Sequence, residues 1–272
     1  MRVGVVGAGV SGLTCARVLS EAGVDVTIFA RETEGEASPV AAAIWYPYHI
    51  GGPKEKVERW AHESYGAFER LARMPGTGVS MVDFDVLDQG VMRVPLIETP
   101  LYLPWLRRDL RIEERTIDDL DELDADVIVN CAGLGAAELC GDQTPLTSGR
   151  GVILKTATNP GIVRHMARVD GDTLTYVLTR TDDIVLGGTD DHVASRDVPP
   201  ELAEAIYARC AAVEPRLPRE FTSHVGFRPE RPEVRLDREG NVIHNYGHGG
   251  AGFTVSWGCA YEVLALYRQV IS

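Results

Sequence analysis

Arg2-Val3-Gly4-Val5-Val6-Gly7-Ala8-Gly9-Val10-Ser11-Gly12 opens the chain. Its apolar first half reads as a β-strand over 2–6, and its glycines as the turn from that strand into a helix. Leu13, Ala16, Leu19 and Ala22 recur on one side of the helix, Gly23 stops it, and an apolar run over 24–30 supplies a second strand. In this strand–helix–strand setting each glycine has a physical reason. Gly7 permits the tight turn, Gly9 lets backbone approach a pyrophosphate, and Gly12 lets helix pack on strand. Ala8, Val10 and Ser11 complete a turn whose free N–H groups and helix-start charge suit an anion. Glycine spacing alone is a weak signal. With both strands and the helix in place, nucleotide binding is the reading, ahead of a structural turn.

The second strand ends at Ala30-Arg31-Glu32. An acid at this point would hold an adenosine ribose, whereas an arginine would meet a 2′-phosphate. Glu32 is favoured for the ribose, Arg31 keeps the phosphate reading open, and two solvated loop charges are the plain alternative.

A second glycine-rich stretch stands near the other end: Asn241-Val242-Ile243-His244-Asn245-Tyr246-Gly247-His248-Gly249-Gly250-Ala251-Gly252-Phe253-Thr254. It reads as a strand, a glycine turn and a helix over about 253–270. Four glycines in six residues allow backbone to approach something large and flat, and the helix start aims N–H groups at it. Two such devices suggest one ligand held at both.

Between them, 38–48 is small and irregular until Trp45, Tyr46 and Tyr48. Its alanines Ala41 to Ala43, followed by Ile44, suit either backbone packed on a flat surface or the start of a core helix. Helices are expected over 54–74, 99–110 and 200–213. One or two short strands are expected over 79–94, a buried strand over 126–130, and a separate antiparallel sheet over 151–156, 163–169, 173–178 and 184–187, with a further strand over 221–227. Residues 118–126 are mostly acidic and read as a solvated edge. Cys131 at a strand end reads as a small packed residue ahead of a thiolate, because no basic neighbour is evident. The seven histidines lack metal spacing, so no metal is expected, and His244 and His248, four apart around a turn, each read as a packed or loop residue ahead of a proton carrier.

Composition bounds the rest. The 272 residues are 44% hydrophobic and 25% charged, ordinary for a globular protein with a core. A net charge of −13 argues against nucleic acid as a partner. Five scattered cysteines without a C-x-x-C pair read as free thiols in a reducing compartment. With no leader read before residue 2 and no run of membrane length, a cytoplasmic location off the membrane is the expectation.

Gly226-Phe227-Arg228-Pro229-Glu230-Arg231-Pro232 is the strongest candidate for chemistry. Prolines hold it extended, and a guanidinium fixed at Arg228 could take a carboxylate bidentately. Tyr176, on the antiparallel sheet, is a candidate second donor, with a core tyrosine as the plain reading.

Stretches 2–12, 40–48, 125–133, 149–155, 184–188, 214–215, 226–232 and 243–258 together resemble the D-amino-acid oxidase family of FAD-dependent oxidoreductases. The resemblance implies an α/β fold, α+β as a whole: a Rossmann-type FAD-binding domain from 1–50, 112–149 and 225–272, interleaved with an antiparallel-sheet substrate domain from 51–111 and 150–224. It implies FAD as cofactor and a D-amino acid and oxygen as partners, and leaves room for a homodimer. Arg228 would anchor the substrate carboxylate, Tyr176 would assist, and the Gly250 carbonyl would receive the amine. Ala8 to Ser11 would hold the pyrophosphate, Ala43 and Ile44 would pack beside the ring, and Gly249, Gly250, Ala251, Gly252, Phe253 and Thr254 would follow the pyrimidine edge. The implied reaction passes the Cα hydrogen as hydride to flavin N5, needs no general base, and yields hydrogen peroxide, ammonia and a 2-oxo acid.

Three departures stand out. The family's acid at the second strand end falls on Arg31, the lid tyrosine falls near Asp172 without a match, and the chain between Gly90 and Thr99 is abbreviated. An amine dehydrogenase with another acceptor, a flavin protein without activity, and an NADP-binding reductase therefore remain alternative readings. Side-chain preference stays open between bulky substrates and acidic ones selected by Arg180 or another arginine.

Overall fold

The structure is a computed structural model that describes residues 1–32, 35–170 and 173–270. In chain order β1 (Arg2–Val6), α1 (Val10–Glu21) and β2 (Asp25–Ala30) form the expected opening unit, with β1 and β2 parallel. After an irregular segment come α2 (Lys54–Leu71), β3 (Val79–Val86), β4 (Gly90–Ile97), α3 (Thr99–Arg107) and β5 (Arg111–Glu114). Then follow β6 (Val127–Asn130), the short α4 (Ala136–Leu139), β7 (Thr147–Thr156), β8 (His165–Asp170), β9 (Thr173–Thr179), β10 (Ile184–Gly187) and α5 (Pro200–Val213). The chain closes with β11 (Thr222–Glu239), β12 (Val242–His248) and α6 (Gly252–Val270).

One sheet of twelve strands runs β4-β3-β8-β9-β10-β7-β11-β12-β6-β1-β2-β5. This corrects the expectation of a separate antiparallel sheet. The cause is β11, which continues through its prolines for 18 residues. Its first half pairs antiparallel with β7, from Thr222 opposite Lys155 to Glu230 opposite Thr147. Its second half pairs with β12, and the register shifts between Glu230 and Arg235. Such a bulge lets one strand bend from one layer into the next. Beyond it β12, β6, β1, β2 and β5 are parallel neighbours. β5 escaped the sequence reading because Arg111-Ile112-Glu113-Glu114 is polar and mostly exposed, as an edge strand is. The single run over 79–94 resolves into a hairpin turning at Asp88 and Gly90, both with positive φ.

Helix α2 buries Val57, Trp60, Ala61, Ser64, Ala67, Phe68 and Leu71, the three-and-four spacing of one helical face. Phe68 is fully buried, and such burial stabilises by roughly 1.5–3 kcal/mol. That face packs on α6 at Gly258, where a Cβ would lie 2.3 Å from the Trp60 carbonyl oxygen and where the Ser64 hydroxyl accepts the amide N–H at 2.9 Å. Helices α1, α2, α3 and α6 share one apolar core with β1 and β6, while α5 covers β7, β9 and β10. No helix among the described residues is long and apolar enough to cross a membrane.

Abbreviation of the chain after Gly90 leaves one residue, Glu98, between β4 and α3. The segment at 41–48 lies against this hairpin, with Ile44 bridged to Leu96, Trp45 N–H donating to the Pro95 carbonyl and Ile97 N–H to that of Ala43. It is therefore neither helix nor free loop but a strap between the sheet and α6.

Candidate active site

The carboxyl ends of β1 and β6 and the β10–β11 side of the sheet open into one cavity of about 1140 Å³. Strand carboxyl ends are where ligands sit in such sheets. At one end stands the opening turn. Gly7 has φ of 106°, and a Cβ there would lie 2.4 Å from the Cys131 carbonyl oxygen. A Cβ on Gly12 would lie 1.9 Å from the Gly7 carbonyl oxygen, so this glycine packs behind the turn and is not on the cavity wall. Gly7, Ala8, Gly9, Val10 and Ser11 are all on the wall. Ser38 joins them unexpectedly: its hydroxyl accepts the Val10 N–H at 2.9 Å. Arg31 and Glu32 flank the same end, largely exposed, with Arg31 donating to Glu36 at 3.1 Å.

The closing turn forms the middle of the wall through Gly249, Gly250, Gly252, Phe253 and Thr254, with Ala43 and Ile44 opposite. Ala251 is fully buried behind it. Gly249 takes φ of 53°, and a Cβ there would lie 2.2 Å from the His49 carbonyl oxygen. That carbonyl accepts the Gly250 N–H at 3.1 Å. The Thr254 hydroxyl donates to the Tyr46 carbonyl at 3.0 Å, tying the strap to α6. The two glycine turns are joined by a buried chain. His248 Nε2 lies 2.9 Å from Asn245 Oδ1, His248 Nδ1 lies 3.4 Å from the Ser11 hydroxyl, and Asn245 Nδ2 donates to the Cys15 sulfur at 3.1 Å. Burial pushes His248 down to about 4, so its ring is neutral at ordinary pH.

At the far end Arg228 Nη1 donates to Asp190 Oδ1 at 2.9 Å, and Nη2 donates to the Thr189 carbonyl at 3.1 Å. The guanidinium lies flat on Gly151, where a Cβ would stand 2.5 Å from Nη2. Tyr176 faces it from β9, its ring seated on Gly187. Burial raises the Tyr176 hydroxyl to about 12, against the opposing pull of Arg228, so it remains a proton donor. Behind Arg228, burial and the neighbouring Asp190 raise the Glu230 carboxyl, whose Oε1 is buried without a partner.

The structure thus brings Arg228, Tyr176, Gly250 and the opening turn to one cavity, as the sequence reading grouped them. Arg180 does not join them. It is buried in a bidentate pair with Asp183, at 2.7 Å on each side, and lies off the cavity wall. Besides Arg228, Arg209 is on the wall, and it donates to the Gly188 carbonyl at 3.0 Å. Asp172, where the lid residue aligns, lies outside the described residues. Cys131 is buried 4.0 Å from the Cys15 sulfur, and this neighbour with burial drives its thiol well up, which removes the thiolate reading. Among the described residues no group of His, Cys, Asp and Glu is placed to hold a metal. The sequence reading missed Ser38, His49, Gly151, Gly187 and Asp190. Paired glycines at the end of β10 followed by an acid were the one available signal for the last two.

Comparison with known proteins agrees with this geometry. The family profile described as FAD dependent oxidoreductase matches residues 2–95 and 106–266. The chain belongs to this family. Among FAD-dependent oxidoreductases it is 40% identical to a D-amino-acid oxidase of Streptomyces coelicolor, covering 96% of this chain and 95% of that one. It is 39% identical to a D-amino-acid oxidase of Rubrobacter xylanophilus, over 100% and 97%, and 32% identical to a D-aspartate oxidase of Homo sapiens, over 99% and 95%. These alignments span 307 to 331 positions against 272 residues, so the relatives carry segments this oxidoreductase lacks. The break in the profile over 96–105 falls at the abbreviated β4–α3 connection. Its fold is shared with a glycine oxidase of Bacillus cereus, at TM-score 0.81 and 16% identity over 98% of this chain and 97% of that one. It is shared equally with an iminodiacetate oxidase of Chelativorans, at TM-score 0.79 and 17% identity over 98% and 95%. The residues present fit FAD: backbone of both glycine turns, each at the start of a helix, lines a single cavity of about 1140 Å³.

Proposed function

We propose that this chain oxidises D-amino acids with bound FAD and oxygen, giving a 2-oxo acid, ammonia and hydrogen peroxide. The observation that carries the reading is the position of Arg228 and Tyr176 at one end of the cavity whose other end is the Gly7–Ser11 turn. The relatives' names point the same way. Bound FAD supplies the hydride acceptor and, through oxygen, the route to peroxide.

Each residue then has a defined role. Arg228 holds the substrate carboxylate. A guanidinium has five N–H donors, and the contacts to Asp190 and Thr189 occupy one on each Nη, leaving donors for a second carboxylate. Tyr176, kept protonated by burial, donates to the same carboxylate. The Gly250 carbonyl accepts from the substrate amine, so that carboxylate and amine together fix the Cα hydrogen toward the ring, an orienting effect that carries much of such catalysis. The N–H groups that start α6, on the cavity wall, would favour negative charge on the cofactor when it is bound. Gly7 to Ser11 would hold the pyrophosphate, Arg31 and Glu32 the adenosine end, Ala43 and Ile44 one face of the ring, and Gly249, Gly250, Gly252, Phe253 and Thr254 its pyrimidine edge, with Ala251 buried behind them. The same reading divides the chain into an FAD-binding domain of 1–50, 112–149 and 225–272 and a substrate domain of 51–111 and 150–224, except that α2 and α3 pack in one core with α1, α6, β1 and β6 and so belong with the FAD-binding side.

Purified protein tests this directly. A flavin absorption band and peroxide release from a panel of D-amino acids, with the L-enantiomers inert, are the expected results. A colourless protein that takes up no FAD, or a flavoprotein that reduces with none of the panel, overturns the reading.

A further inference from the structure

Among the described residues Asp190 is the carboxylate that touches the anchoring guanidinium, and it is not alone. Its second oxygen is in contact with Nδ1 of His49. His49 is built into the site by two further contacts and by its backbone conformation. Its carbonyl accepts the Gly250 N–H at 3.1 Å, its backbone takes φ of 43°, and its ring stacks on Tyr48 with centroids 3.9 Å apart and planes 8° apart. The bare Cα atoms of Gly249 and Gly250 are what admit the His49 and Tyr48 backbone, since a Cβ on Gly249 would lie 2.2 Å from the His49 oxygen and one on Gly250 2.9 Å from that of Tyr48. Asp190 lies on the cavity wall with Arg228 and Gly250, and His49 touches Asp190 through its ring and Gly250 through its carbonyl. The pair also connects the cavity to water, for the Asp190 side chain is 12% exposed and that of His49 is 46% exposed.

We infer that Asp190 and His49 form a relay that takes the proton from the substrate's α-ammonium group. This deepens the reading of the chain as a D-amino-acid oxidase and rests on it. A D-amino acid reaches the site as a zwitterion, and its Cα hydrogen can leave as hydride only once the nitrogen lone pair is free. In the relay an ammonium N–H bond breaks, its electron pair stays on nitrogen, and the proton goes to the Asp190 carboxylate. His49, carrying its own proton on Nε2, accepts the transferred proton at Nδ1 and releases one to solvent from the exposed side of the ring. No oxidant or further reactant is consumed. Asp190 is the catalytic residue of the pair and His49 acts through it. The charged and titratable groups around Asp190 are Arg228 and Glu230 from β11, Tyr176 from β9, Tyr48 and His49 from the strap, and Asp191, paired with Arg150, and His192 from its own loop.

The test is the pH profile of kcat/KM for peroxide release by the flavin-loaded enzyme, with two D-amino acids of different ammonium pKa. For the wild type the acid limb is expected at one position for both substrates, because it reports the relay. In Asp190→Asn and in His49→Gln the limb is expected to move up by about one pH unit or more and to follow each substrate's own ammonium group. The flavin band of each variant shows that it is folded and loaded. A limb that stays in place in both variants, with only its height reduced, overturns the relay and leaves the pair a structural contact. A wild type that oxidises no D-amino acid defeats the underlying reading instead.

Discussion

The ring of Tyr176 lies on the bare Cα of Gly187, so close that a Cβ at that glycine would stand 1.9 Å from ring carbon Cζ. Residue 187 is directly opposite residue 176 in the β9–β10 ladder, so the tyrosine is aimed by the glycine of its own cross-strand pair. Gly187→Ala is expected to push the hydroxyl off its line toward Arg228. A misplacement of about 1 Å at a positioning group costs on the order of 10²-fold. The measurement is kcat/KM for a D-amino acid, with the flavin band retained. Activity within twofold of wild type would show that the hydroxyl is not used.

Arg228→Ala is expected to lower kcat/KM by on the order of 10³-fold, because a carboxylate loses a charge-assisted partner in a half-closed site. It also leaves Asp190 without its cation beside Glu230, which adds a stability loss of roughly 3 kcal/mol. Arg228→Lys separates the two effects. A lysine restores charge against Asp190 but not the planar fork, so stability returns while most of the turnover does not. Thermal unfolding and steady-state rates on both variants check this; full activity in the lysine variant would remove the bidentate reading.

The opening unit was legible because its signals are local. A strand, a glycine turn and a helix with apolar residues three and four apart leave few alternatives over 2–30, and the same holds for 241–270. Arg228 could be singled out because the prolines around it announce an extended segment. What resisted reading depends on partners distant in the chain. Asp190 is one of two neighbouring aspartates, and only the pairing of β7 with both β10 and β11 places it against Arg228. Nothing in the sequence singles out His49 until Gly249 and Gly250 are seen to be seats for the backbone of Tyr48 and His49. The single sheet was hidden for the same reason, since prolines at 229 and 232 argue for an end to β11 and the bulge lets it continue.

Ser38 carries a prediction of its own. Its hydroxyl accepts the Val10 N–H while lying on the cavity wall, so its proton is available to a phosphate oxygen. A hydrogen bond to a charged group contributes about 1.5–3 kcal/mol. Ser38→Ala should therefore weaken FAD by about tenfold or more, read by titrating FAD into the stripped protein, with little change in kcat once loaded. An unchanged dissociation constant would confine Ser38 to capping α1.

His248 sets a pH limit on stability. Its ring is fully buried between Ser11 and Asn245, and burial lowers it from the usual 6.5 to about 4. The unfolded chain then binds a proton more readily than the folded one at pH between those values. The contribution is fully present above about pH 6.5 and is lost as pH falls toward about 4, by roughly 3 kcal/mol in all. Many carboxylates lose stabilising partners at still lower pH, so the informative quantity is a difference. Wild type should lose unfolding free energy more steeply than His248→Gln between about pH 6.5 and 4.5, because glutamine cannot titrate but can still accept from Ser11 and donate to Asn245. The neutral variant should also leave the link between the two glycine turns intact, so FAD retention at about pH 5 should favour it over wild type. Denaturant unfolding of the flavin-loaded proteins at a series of pH values measures both effects, and parallel slopes would mean that another group governs the acid sensitivity.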